Sequence, residues 1–79
     1  MRLVLVTRPG CHLCEQVLTH LRALGHEPML ADVDADDHLH HLYDWRVPVL
    51  LKDDAVVAEG KITLEHLEKT VGKGPSASA

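Results

Sequence analysis

A chain of 79 residues supports one hydrophobic core and no second domain, because a domain this small hides only about 60% of its unfolded surface. Hydrophobic residues make up 46% of the chain, yet Phe is absent and Tyr43 and Trp45 are its aromatics, so Leu and Val must supply an aliphatic core, with nothing resembling a stacking platform for bases. Eight basic against twelve acidic side chains give a formal charge of −4 with no basic run, which argues against a nucleic-acid partner.

The first element is Leu3-Val4-Leu5-Val6, an apolar run without alternation that fits a central strand buried on both faces. It is too short for the hydrophobic stretch of a secretory signal and is soon interrupted by Pro9 and Gly10. No longer apolar run follows, so no membrane association is expected and the chain is assigned to the cytoplasm. Thr7 to Gly10 turn the chain, and from Cys11 onward Leu13, Val17, Leu18, Leu21 and Leu24 form the apolar stripe of a helix that Gly25 terminates. Pro28 to Val33 reads as a second strand, with Pro28 tolerable at its first residue or on an edge. Strand, helix and strand imply a parallel crossover.

Asp34 or Asp36 can cap a brief second helix whose apolar face is Leu39, Leu42 and Tyr43, and Trp45 is expected to cover its end near Pro48. Val49 to Leu51 and Ala55 to Ala58 are strands joined by the polar turn Lys52-Asp53-Asp54, an antiparallel hairpin. Gly60 ends that hairpin. Thr63 caps a last helix with Leu64, Leu67 and Val71 inward, and Gly72 stops it. The expected organisation is a single α/β domain over residues 1–72 and a flexible tail over 73–79. Its order βαβαββα, a four-stranded mixed sheet with flanking helices, is the minimal thioredoxin-like architecture.

Cys11 and Cys14 carry the chemistry. A reducing compartment disfavours a static disulfide, leaving redox catalysis or metal binding as the uses for a CxxC. At a helix start the two side chains share a face with Cβ atoms about 5–6 Å apart, close enough to close a disulfide reversibly. Cys11, at the helix N-terminus, is the expected nucleophile: unpaired N–H groups and the helix dipole favour its thiolate, and Arg8 and His12 are placed to add positive charge. Cys14, one turn further in, suits the resolving thiol. Two ordinary buried thiols are the plainer alternative. Pro48 interrupts any hydrogen-bond ladder and belongs at a strand's start; by itself a trans Val47–Pro48 bond is the plain reading.

Seven histidines raise the question of zinc, with Cys11, Cys14 and two of His38, His40 and His41 as a conceivable ligand set. That set lacks the second ligand pair of a zinc motif, and a solvated helix face explains the cluster, so no metal is expected. His20, His26 and His66 read as surface residues. Asp32, Asp34, Asp36 and Asp37 read as turn and cap residues.

Taken together, Thr7-Arg8-Pro9-Gly10-Cys11-His12-Leu13-Cys14, Arg46-Val47-Pro48-Val49-Leu50 and Glu59-Gly60 resemble the small bacterial glutaredoxin-like proteins of the thioredoxin superfamily, over about residues 2–71. The resemblance implies a cis bond before Pro48, with Val47 and Pro48 beside Cys11 offering backbone to a peptide or glutathione. It also implies substrate contacts at Gly60 and Lys61, with Arg8 and Lys61 meeting the carboxylates of glutathione. The chain departs from typical glutaredoxins where His12-Leu13 replaces Pro-Tyr, and where Gly60-Lys61 replaces a Gly-Gly stretch with a nearby Asp. The expected function is thus a thiol–disulfide oxidoreductase acting on protein or glutathione mixed disulfides. It is expected to be a monomer with no bound cofactor, and glutathione is one candidate reductant. The alternative is a binding module whose CxxC is unreactive or metal-loaded.

Overall fold

β1 (Leu3–Thr7), α1 (His12–Ala23), β2 (Met29–Asp32), α2 (Asp37–Tyr43), β3 (Val49–Lys52), β4 (Ala55–Glu59) and α3 (Leu64–Thr70) follow one another in a computed structural model that describes residues 2–75. The strands form one sheet in the order β2-β1-β3-β4. β1 runs parallel to β2 and antiparallel to β3, and β3 and β4 form the expected antiparallel hairpin. This is the thioredoxin-like arrangement of a mixed sheet with helices on both faces.

The unalternating run in β1 follows from that covering. Leu3 and Leu5 point to one face, where Val17, Leu21 and Leu24 of α1 and Leu67 and Val71 near α3 join Leu50 in the main core. Val6 points to the other, packing with Val33 and Val49 under Leu39 and Tyr43 of α2. The core is aliphatic throughout, as the absence of Phe requires. Leu13, Leu42 and Leu64, expected to face inward, are instead exposed. Each sits in a terminal turn of its helix, beyond the reach of the sheet.

The caps are where the residue types place them. Asp36, not Asp34, caps α2, its Oδ1 accepting from the N–H groups of His38 and Leu39. Thr63 caps α3 through Oγ1. α1 ends in a Schellman turn: Gly25, at φ 89°, donates to Arg22 O, and the His26 N–H donates to Leu21 O at 2.9 Å. Asp53 and Asp54 take the positive φ that a tight hairpin turn needs.

Two further expectations change. Trp45 does not cover α2 but stands 93% exposed, because Leu39 and Tyr43 already fill that contact and Arg46 stacks over the Tyr43 ring at 5.2 Å. His26 is not a surface residue: it is 5% exposed, and its Nε2 lies 2.8 Å from Gly72 O. The expected tail begins within the described residues, where the Gly74 N–H donates to Leu24 O at 2.6 Å. Residues 76–79 of that expected tail lie outside the described residues.

Candidate redox site

Sheet register gathers the chemistry at one end. Thr7 of β1 pairs with Asp32 of β2, Val6 with Val49 of β3, and Val49 with Glu59 of β4. The loop after β1, the loop after β2, the segment before β3 and the loop after β4 therefore open on the same side. Arg8 to Cys11, Asp34, Val47-Pro48 and Gly60 all lie in these connections.

Gly10, at φ 77°, completes the turn that delivers Cys11 to the N-cap of α1. Cys11 holds φ −85° and ψ 106°, and its Sγ accepts a hydrogen bond from the Cys14 N–H at 3.1 Å, the place a Ser or Asp oxygen takes in an ordinary N-cap. Cys11 and Cys14 are joined as a disulfide with Cα atoms 5.2 Å apart, within the usual range. Cys11 is half-buried, whereas Cys14 is 3% exposed. That asymmetry is the one expected of an attacking and a resolving sulfur.

Arg8, placed by the sequence to add positive charge beside Cys11, is tied to two aspartates. Its Nε and Nη2 donate to the two carboxylate oxygens of Asp34 at 2.9 Å each, Nη2 also bonds the Asp44 carboxylate, and Nη1 donates to Asp44 O at 3.2 Å. The guanidinium is therefore a latch joining the β1 loop to both ends of the α2 region, its charge already matched. The Arg8 hydrogen bonds hold the Asp34 carboxyl below the usual carboxylate range, and the same bonds push the guanidinium higher still. His12 extends into solvent at 92% exposure, with Nδ1 3.8 Å from Glu15. It stands next to Cys11 in the chain but does not pack over it.

Val47 packs half-buried beside Val6 and Val49, and Pro48 is buried behind a cis Val47–Pro48 bond. Gly60 meets this pair, its N–H donating to Pro48 O at 2.8 Å, while Lys61 is exposed. Val47, Pro48 and Gly60 thus share the sheet end with the disulfide, yet none of them, nor Lys61, lines the hollow beside it. That hollow, of about 240 Å³, lies between the start of α1 and β2; Arg8, Cys11, Cys14, Leu18, Leu30 and Asp32 form much of its wall. Leu18 and Leu30 escaped sequence reasoning because each reads as an ordinary core position. Leu30 is in fact 54% exposed, on an edge strand.

Among the described residues, the group with ligand atoms close enough for a cation is Asp34, His40 and Asp44, which excludes both cysteines. Arg8 occupies both of its carboxylates, so the cation there is a guanidinium. The conceivable zinc set of cysteines and α2 histidines is not assembled. No helix of the described residues is long and apolar enough to cross a membrane.

The family model described as Glutaredoxin-like domain (DUF836) matches residues 2–72. An X-ray structure of a protein from X. campestris is similar at 27% identity and a TM-score of 0.76, covering 92% of this chain and 99% of that one. A solution NMR structure of a protein from Nitrosomonas europaea is similar at 32% identity and a TM-score of 0.73, covering 86% of this chain and 87% of that one. No curated protein matches the chain at a significant level.

Proposed function

The chain belongs to the glutaredoxin-like domain family, and from that membership and its capped cysteine pair we propose that it is a thiol–disulfide oxidoreductase that reduces disulfides with the Cys11–Cys14 dithiol. The observation that carries the reading is the position of Cys11, half-exposed at a helix N-cap with the Cys14 N–H directed at its sulfur. In the reduced protein that donor and the other free N–H groups of the first turn face a thiolate, the charged form they favour.

The Cys11 thiolate attacks one sulfur of the substrate disulfide. The substrate S–S bond breaks, and the first thiolate leaves and takes a proton from water. Cys14 then gives up its proton and attacks the Cys11 sulfur, expelling the second thiolate and closing the Cys11–Cys14 bond. Two electrons pass from the dithiol to the substrate. An external thiol, glutathione being one candidate, reverses the sequence and restores the dithiol. Burial of Cys14 supports the order, since a thiol enclosed in the core meets Cys11 before it meets solvent. A monomer with no bound cofactor, working in the cytoplasm, is sufficient for this cycle.

Equilibrating the protein in graded glutathione buffers and counting alkylated thiols by mass tests the proposal. A reduction potential of about −200 to −270 mV fits a working reductase, whereas one below about −300 mV, or no disulfide at all, is that of a structural pair or a binding module.

A further inference from the structure

Resting on that dithiol reading, we infer that the substrate is a polypeptide disulfide flanked by basic residues, and that glutathione disulfide is the poorer substrate. The hollow beside the disulfide is acidic. Glu15 and Asp32 line it, and its one lining guanidinium, Arg8, is bound to Asp34 and Asp44. The lining thus carries two carboxylates against one guanidinium, and that guanidinium is already held by two further carboxylates outside it. Arg46, the next guanidinium at this end of the sheet, is likewise matched, its Nε donating to Glu59 at 2.6 Å. Lys61 alone does not reverse this balance, and it lies outside the lining of the hollow.

Each half of glutathione disulfide carries two carboxylates and one ammonium. It would bring negative charge to a surface whose two guanidiniums already hold carboxylate partners, and like charges brought together disfavour a partner. Lysine or arginine side chains beside a substrate cysteine would instead meet Glu15 and Asp32.

Size and polarity agree. The hollow holds about 240 Å³, below the roughly 300–1,000 Å³ of a site built to enclose a small molecule, and Pro9, Leu18 and Leu30 give it an apolar floor. That is room for a side chain of a longer segment. Leu30 continues the floor onto β2, an edge strand on which such a segment can lie.

The test uses pre-reduced protein in single turnover against three disulfides: a short cystine peptide flanked by lysines, the same peptide flanked by glutamates, and glutathione disulfide. Closure of Cys11–Cys14 is read by mass after alkylation, at about pH 8, where a thiol near its ordinary range is partly ionised. The lysine peptide is expected to react about tenfold faster than the other two at low salt, the gap closing toward parity near 0.5 M salt. Glu15→Lys should shrink the gap, and Glu68→Lys, an equal change of charge on α3, should leave it. Equal rates for the two peptides, a preference for glutathione disulfide or a gap indifferent to salt overturns the substrate class while leaving the dithiol chemistry in place. No reaction with any of the three overturns both.

Discussion

The Cys14 backbone N–H donates to Cys11 Sγ at 3.1 Å, so the buried cysteine supplies from its main chain a hydrogen bond to the half-buried sulfur with which its own side chain forms the disulfide. Three-residue spacing produces both relations at once. It puts Cys14 at the third helical position, where an N-cap acceptor finds its donor, and it puts the two side chains on one face.

Different defects follow from removing either sulfur. Cys11→Ser should reduce exchange with a disulfide substrate to background. Cys14→Ser should leave the first attack intact and accumulate a mixed disulfide on Cys11, visible as an adduct of substrate mass under non-reducing conditions. Equal loss in both variants with no trapped adduct would falsify the division of roles.

The Arg8 latch makes stability depend on pH. Asp34 binds its proton less readily in the folded chain than in the unfolded one, because Arg8 donates two hydrogen bonds to its carboxylate. The latch is therefore fully effective above the ordinary aspartate range, near pH 4, and is lost as pH falls below it through the depressed folded value. Denaturant titrations between neutral pH and about pH 3 should show stability falling with acid, less steeply in Asp34→Asn than in the native chain. Identical slopes would mean that other carboxylates dominate.

Much of this was legible in advance for physical reasons that differ by residue. Element order along the chain, helix caps and the paired cysteines are local signals: Gly25 and Thr63 announce helix ends, and Cys11 at a strand-to-helix turn announces its N-cap. The pairing of Arg8 was hidden because it depends on Asp34 and Asp44, 26 and 36 residues away, which only the sheet register brings near. The same holds for His26, whose partner Gly72 is 46 residues distant. Leu30 gave no sign that its strand lies at an edge.

His26 closes a clasp on the C-terminal segment. With its Nε2 2.8 Å from Gly72 O in a nearly dry site, His26→Ala leaves that carbonyl without its partner and opens a gap, which should destabilise the fold by about 1–3 kcal/mol. Gly74→Ala should also destabilise it, since a Cβ there would lie 2.6 Å from His26 Nδ1 and against the Gly25 backbone. Urea melts check both, and an unchanged midpoint in both variants would show that the segment docks without holding anything.

Trp45 and Leu5 provide the sharpest contrast between residue type and burial. Tryptophan is ordinarily among the costliest side chains to delete, yet at 93% exposure Trp45 removes almost no apolar surface from water, so Trp45→Ala should change unfolding free energy by no more than about 0.5 kcal/mol. Leu5 has no exposure and packs in the main core, so Leu5→Ala should cost about 2–5 kcal/mol through lost burial and the cavity left behind. Fluorescence gives a second reading of the same geometry. Trp45 is the chain's single tryptophan, and its emission should be that of an indole in water, freely quenched by iodide in the folded protein. A shielded, blue-shifted emission together with a large loss of stability in Trp45→Ala would return Trp45 to the covering role over α2 that its sequence position suggests.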